Sequence, residues 1–337
     1  MSGMMDAWVI EGFGGPDAFQ RACVPVPEPG PREVLIDVRA SSVNPVDYKV
    51  RDGRIPFLAP DMPAILHPNC AGVIKATGRD VTGFAVGDEV FSFASGIGGK
   101  AGALADAMAA DAAMVAKKPT TCSFEEAAAL PLVAVTAWLS LIDQAAIGAA
   151  DHVMVQGGTG GVGHIAVQLA RWRGAKVFAT CGDKRKCSIA EELGARKAFD
   201  YMTTDPETIV QQATADRGFD VVYNIPGTPS VDHAVAVAAF CGTILDILGE
   251  FPVKPGFQLK WLTFRSLFAG RAILTGEGKE RVGEILTEVA SLVDGGHVKP
   301  LIDQSRFCFE DVGKAHSHAE HGRPTGKVVL HHPAHAP

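Results

Sequence analysis

His152-Val153-Met154-Val155-Gln156-Gly157-Gly158-Thr159-Gly160-Gly161-Val162-Gly163 is a short apolar run that empties into a glycine-rich turn. Directly after it, from His164 to Arg173, the chain is patterned as a helix. Val162, Ile165, Ala166, Leu169 and Ala170 recur on one helical face, and Gly174 follows as a stop. Gly158, Gly160 and Gly163 fit G-x-G-x-x-G between a strand and a helix. In that motif glycines make the tight turn, let backbone approach a pyrophosphate, and let the helix pack on its strand. The expected ligand is a dinucleotide whose phosphates sit on the helix N-terminus, where free N–H groups and the dipole favour negative charge. A nucleoside-triphosphate loop is excluded, because His164 stands where its lysine must be.

Working outward, the chain has 337 residues, enough for about two domains. Its 47% hydrophobic and 20% charged residues are ordinary for a globular protein. Lys plus Arg number 31 against 38 Asp plus Glu, a net charge of −7, which offers no footprint for nucleic acid or an acidic membrane surface. The seven cysteines (Cys23, Cys70, Cys122, Cys181, Cys187, Cys241, Cys308) are scattered and form no C-x-x-C pair. With no charged-then-apolar leader, they are expected to be reduced thiols of a cytoplasmic protein. The longest apolar stretch, Ala127 to Ile142, is interrupted by Pro131, Thr136 and Ser140 and reads as a buried helix, not a membrane span.

Residues 1 to about 120 alternate in short β-like runs (Ala7–Ile10, Val34–Ala40, Gly72–Ala76, Glu89–Phe93) between Gly and Pro clusters, as in an irregular all-β domain. Ser123 and Glu126 make a capping box that marks a helix start and a domain boundary. Beyond it, strand-like and helix-like segments alternate: His152–Val155, Ile165–Arg173, Lys176–Thr180, Lys184–Leu193, Phe219–Tyr223, Ser230–Phe240 and Gly242–Ile247. That alternation predicts an α/β fold with a parallel sheet covered by helices on both faces. An amphipathic helix carrying Val282, Ile285, Leu286, Val289 and Val293 follows, and the chain ends in short elements.

An NAD site places a carboxylate about 20 residues past the glycines, on the ribose 2′-hydroxyl. Here the second strand ends at Thr180-Cys181 and is followed by Gly182-Asp183-Lys184-Arg185-Lys186, a small gap and three cations. Lys184 and Lys186 suit a 2′-phosphate, so NADPH is expected in preference to NADH. The plain alternative is a solvated first helical turn with Asp183 as its N-cap.

The chain resembles the medium-chain dehydrogenase/reductases, and within them the zinc-free, zeta-crystallin-like quinone oxidoreductases. The likeness is carried by the glycine loop, by Ser42-Val43-Asn44-Pro45-Val46-Asp47-Tyr48-Lys49, by Ala71-Gly72-Val73 through Gly87-Asp88-Glu89-Val90, by Leu132 to Trp138 around Thr136, and by Gly326-Lys327-Val328-Val329-Leu330. It implies a GroES-like β-rich catalytic domain (1–122 and 271–337), a Rossmann doubly wound domain (123–270), a cleft between them, and a homodimer. It also implies that Asn44 and Thr136 hold the nicotinamide-ribose end, and that Thr159, Gly160, Gly161 and Val162 hold the pyrophosphate. Lys186 and Tyr201 would take the adenosine phosphate, with Cys181 at the strand end beside them. Ile225, Leu248 and Lys327 would line the cofactor. Zinc-dependent members show Gly-His-Glu where this chain reads His67-Pro68-Asn69, and a cysteine where it reads Asn44; Phe91 to Pro119 lacks the structural-zinc cysteines as well. No metal is expected. The C-terminal histidines (His316, His318, His321, His331, His332, His335) read as surface residues.

The implied activity is NADPH-dependent hydride transfer to a quinone or an α,β-unsaturated carbonyl. Without a metal, the arriving charge must be met by hydrogen-bond donors and protonated. Tyr48 or Lys49 is expected near the substrate oxygen, with Asn44 as organiser. Many quinone reductases of this group carry tyrosine where Lys49 and Ile55 stand, and Ile55 cannot donate a proton, which counts against an enoyl-thioester reductase. Two other readings are a zinc alcohol dehydrogenase with altered ligands and an NADPH-binding protein with little turnover.

Overall fold

Six strands lie side by side in the order Lys197–Asp200, Lys176–Cys181, His152–Gln156, Phe219–Asn224, Ala238–Asp246 and Thr263–Ser266, every neighbouring pair parallel. The chain starts at the inner strand His152–Gln156, builds outward on one side, then returns to build outward on the other. That is the strand order of a Rossmann sheet. Parallel neighbours need long crossovers, and helices Gly161–Trp172, Lys184–Glu192, Pro206–Thr214 and Val231–Val237 supply them. In register across four strands, Phe178, Met154, Val222 and Ile244 form one apolar row. With Ile209, Val231, Ala234 and Val237 from two of the helices they make one continuous core cluster. The five residues that the periodicity assigned to the buried face of Gly161–Trp172 are all buried.

This sheet belongs to a unit made of Val133–Ala269 and Gly296–Lys299. A second unit comprises Met1–Leu132, Gly270–Gly295 and Pro300–Pro337. It is β-rich: a sheet ordered Phe307–Cys308, Val329–His331, Glu33–Ser42, Asn69–Thr77, Glu89–Phe93, Val115–Lys117, with Ala107–Asp111 also paired to Glu33–Ser42. A three-stranded sheet, Phe19–Pro25, Met4–Ile10 and Ala64–Ile65, completes it. The computed structural model describes residues 3–247, 255–322 and 324–335. Among them, no helix is long and apolar enough to cross a membrane.

Two expected elements differ. The stretch Ala127 to Ile142 is not one helix but Phe124–Ala128, Pro131–Trp138 and a π-helical turn Leu139–Gln144. Pro131 has no N–H to continue the first segment and opens the second instead. The helix read over Ser230–Phe240 ends at Val237, because Ala238 onward is taken by the sheet, pairing with Phe219.

Candidate active-site elements and family membership

In the Rossmann unit, the strand His152–Gln156 delivers the chain into a turn held from below. The N–H groups of Gly157 and Gly158 both donate to Thr180 O at 3.0 Å, and Gly160 N–H donates to Gly157 O at 2.9 Å. A Cβ on Gly158 would come within 2.6 Å of Ala179 Cβ, and one on Gly163 within 2.0 Å of Gly157 O. Those two positions are glycine because the protein packs against itself there. Gly160 is different: its Cβ would meet nothing nearer than Gly157 O at 3.3 Å. That contact is tight but needs only a few tenths of an ångström of give, so the protein's own packing demands glycine far less here than at Gly158 or Gly163. Gly160 is also the N-cap of the helix and offers no side chain to cap it. The turn and helix start therefore fit a dinucleotide diphosphate: a bare backbone cradle ending in uncapped N–H groups.

Next to it, Thr159 is buried and in hydrogen-bond contact with the Cys181 thiol, which burial pushes up to about 12. The Cys181 thiol therefore stays protonated, and the Cys181 carbonyl accepts from Tyr201 N–H at 3.1 Å. That bond brings Tyr201 over Gly182, where a Cβ would lie 3.1 Å from Tyr201 Oη. Asp183 is the N-cap of Lys184–Glu192, accepting from Lys186 N–H at 2.8 Å. Lys184 and Arg185 are exposed and make no ion pair among the described residues. Thr136, buried in Pro131–Trp138, has its carbonyl 3.3 Å from Tyr223 Oη. Ile225 is half-buried just past the end of Phe219–Asn224. Leu248 lies outside the described residues.

In the β-rich unit, Pro45 opens the helix Pro45–Arg51, Asn44 caps it, and the Asp47 carboxylate reaches back to Asn44 N–H at 2.6 Å. Lys327, from the other end of the chain, donates from Nζ to Val43 O at 2.5 Å and to Asn44 Oδ1 at 2.6 Å. Asn44, Asp47 and Lys327 are all at most 3% exposed. Burial pushes the Asp47 carboxyl up and the Lys327 ammonium down, and each charge partly restores the other. Tyr48, on the same helix, instead lies under the Arg54 guanidinium, 5.6 Å from the ring centre. Its phenol is pushed up by burial and then by the Glu320 charge. Asn44 and Lys327 are thus brought together, whereas among the described residues Tyr48 makes no hydrogen bond to either.

Residues 30–120 match the family model described as alcohol dehydrogenase GroES-like domain, and 193–330 the model described as zinc-binding dehydrogenase. A 2-methylene-furan-3-one reductase from Solanum lycopersicum is 34% identical, covering 97% of this chain and 79% of its own. The chain belongs to the medium-chain dehydrogenase/reductases. Its likeness places it in their quinone oxidoreductase group. An NADPH-dependent alkenal/one oxidoreductase from Arabidopsis thaliana is 31% identical (97% of this chain, 79% of that one), and human quinone oxidoreductase 29% (97% and 98%). A crystal structure of an alcohol dehydrogenase superfamily protein from Novosphingobium aromaticivorans superposes with a TM-score of 0.92 at 35% identity, covering 98% of this chain and 99% of that one.

The zinc-binding description of one model can be tested on this medium-chain reductase's own donors. Asn44 and Asn69 offer amides, which are weak zinc ligands beside thiolate, imidazole or carboxylate. The imidazole of His67 is committed on both sides, Nδ1 3.0 Å from Ser41 Oγ and Nε2 2.9 Å from His316 Nε2. Among the described residues no group of three or more His, Cys, Asp or Glu side chains is arranged to hold a metal. The residues do not fit catalytic zinc.

The reading of the C-terminal histidines as surface residues is corrected for two of them. His316 is fully buried on the helix Val312–His321, and His332 is 6% exposed with Nε2 2.8 Å from Asp106 Oδ1. Sequence reasoning also gave no role to Asp47, nor to Gln156, Asn224 and Asp246. These three stand in register at the C-terminal ends of adjacent strands, with Asn224 Nδ2 donating to Asp246 Oδ2 at 2.9 Å. A polar residue ending each of three apolar strands was the available signal.

Proposed function

We propose that the protein is an NADPH-dependent, zinc-independent oxidoreductase that transfers hydride to a quinone or an α,β-unsaturated carbonyl. The observation that carries this reading is the glycine turn, in which Gly160 is far less crowded by the protein's own packing than Gly158 or Gly163 and the helix start it caps is left open. When bound, the reduced nicotinamide supplies the hydride.

The chain's own part is binding, orientation and proton supply. The free N–H groups of the turn and helix start between Thr159 and Gly163, Gly160 N–H apart, take the pyrophosphate, and Lys184 and Lys186 take the 2′-phosphate with Tyr201 alongside. Cations at a helix N-terminus oppose the dipole, and a bound phosphate would reverse that penalty. Asn44 and Thr136 hold the nicotinamide-ribose end, and Ile225 and Lys327 line the cofactor. Tyr48 or Lys49 meets the substrate oxygen as charge arrives there. Conjugate acceptors suit a metal-free site, because the arriving charge spreads onto an oxygen that a hydrogen-bond donor can stabilise. The names of the tomato and Arabidopsis relatives, a furanone reductase and an alkenal/one oxidoreductase, favour this substrate class.

We also infer a cytoplasmic homodimer. Thr263–Ser266 ends the sheet order, and Phe240, Leu259 and Trp261 in the same unit are 61%, 78% and 69% exposed, an apolar set suited to a second copy. The test of activity is NADPH consumption with a panel of small quinones and enones. Tight NADPH binding without consumption across the panel would overturn the catalytic reading.

A further inference from the structure

Asn44 has the most constrained amide in the β-rich unit. Its Nδ2 donates to Ser42 O at 3.2 Å and to Asp47 Oδ2 at 3.3 Å, while its Oδ1 accepts from Lys327 Nζ at 2.6 Å. The two flanking groups leave no freedom in which way round the amide sits. An ionised carboxylate only accepts and an ammonium only donates. Turning the amide over would set its NH2 against the Lys327 ammonium and its oxygen against the Asp47 carboxylate. Asp47 and Lys327 form no direct ion pair among the described residues, so this amide is the hydrogen-bonded link between two buried opposite charges.

Burying a lysine and an aspartate without direct contact is a poor way to gain stability, because desolvation outweighs an attraction acting at a distance. It is an effective way to fix a dipole. Both amide hydrogens are committed, so whatever Asn44 offers a ligand, it offers through Oδ1, as an acceptor. The groups of a nicotinamide riboside that could use it are donors: a carboxamide N–H or a ribose hydroxyl.

We propose that Lys327 is a positioning residue: with Asp47 it locks the Asn44 amide so that Oδ1 is presented as a fixed acceptor to the nicotinamide half of the cofactor. This rests on the reading that the nicotinamide end lies against Asn44. It differs from a lining role for Lys327 in a measurable way, since a positioning residue acts only through the group it positions.

The experiment measures binding of the two halves of the cofactor separately by calorimetry: reduced nicotinamide mononucleotide, and adenosine 2′,5′-bisphosphate. In the wild type both bind. Lys327→Met weakens the mononucleotide about tenfold or more, the worth of one charge-assisted hydrogen bond, and leaves the bisphosphate unchanged. In an Asn44→Ala background the same Lys327→Met substitution produces no further loss, a non-additivity expected when two residues act as a unit. Additive losses would show that Lys327 touches the ligand itself, and equal losses for both halves would show a merely structural role; either overturns the proposal. If Lys327→Met does not fold, the pair Lys327→Met with Asp47→Asn removes both buried charges and is put through the same measurements. If the wild type binds the bisphosphate but the mononucleotide is indifferent to Asn44→Ala, the location of the nicotinamide end is wrong. If it binds neither half, the cofactor reading itself fails.

Discussion

His67 and His316 place their Nε2 atoms 2.9 Å apart with their rings 12° from parallel, and neither has any solvent exposure. Ser41 Oγ donates to Asn69 O at 2.7 Å, so it accepts from His67 Nδ1–H. His67 Nε2 is then a lone pair, His316 Nε2 carries the proton between the rings, and His316 Nδ1 faces the Arg51 guanidinium at 3.4 Å. Protonating either ring would set N–H against N–H or a cation against a cation. Burial, first of all, pushes His67 down to about 3 and His316 well below its ordinary value.

The sign of the resulting pH effect follows from linkage. Below an ordinary histidine value of 6.5 the unfolded chain takes up protons that the folded chain refuses. The stability from these neutral rings is therefore complete above that pH and is lost as pH falls from there towards the folded values. By pH 5 the loss should be about 2 kcal/mol for each histidine. Urea unfolding at pH 7.5 and 5 checks this. His316→Gln should flatten the dependence by about one proton, and a wild type equally stable at both pH values would refute the tautomer chain.

The cations after Cys181 give a second expectation. Lys184→Glu with Lys186→Glu should weaken NADPH by about ten- to a hundredfold, from bonds together worth about 1–3 kcal/mol, while NADH changes little. Asp183 keeps its cap through Lys186 N–H, a backbone bond that the substitution does not remove. Titrating both cofactors by fluorescence separates the outcomes. Equal losses for the two would mean that the turn is only a solvated face.

What could be read from the sequence was local. Val282, Ile285, Leu286, Val289 and Val293 are buried as their spacing predicts, on a helix Lys279–Asp294. The strand Glu89–Phe93 has the bounds that alternation gave it. Periodicity works here because each element must bury one face. It fails at Ala238–Phe240, whose small and apolar residues suit helix or strand equally and are decided by a partner strand. The polar centres were hidden for a different reason. Asn44 meets Lys327, and His67 meets His316, across separations of 283 and 249 residues. No local pattern records such a pairing. The tail histidines looked alike in sequence, yet one is sealed inside the unit because Arg51 and His67 use both of its nitrogens.

Metal content offers a third check. With Asn44 locked by Lys327 and His67 by Ser41 and His316, exhaustive dialysis against a chelator should leave quinone or enone reduction unchanged. Atomic absorption should find zinc well below one equivalent before and after. Stoichiometric zinc that survives dialysis, with activity lost on its forced removal, would refute the zinc-independent reading.

The glycine turn allows the protein's own needs to be separated from those of its ligand. Gly163→Ala places a methyl 2.0 Å from Gly157 O, backbone against backbone, which no rotamer relieves. It should cost about 1–3 kcal/mol or more as overpacking and lower the melting temperature by several degrees. Gly160→Ala places its methyl 3.3 Å from the same oxygen, at a backbone conformation (φ −76, ψ −179) open to any residue. The fold should accept it if Gly157 O gives by a few tenths of an ångström, with a melting temperature lowered much less than by Gly163→Ala. Yet that methyl would stand where a diphosphate must approach the turn, so NADPH affinity should fall at least tenfold. Thermal melts and calorimetric titrations of the two variants side by side decide the matter. A Gly160→Ala protein that melts normally and still binds NADPH at wild-type strength would mean that the phosphates do not lie against this turn.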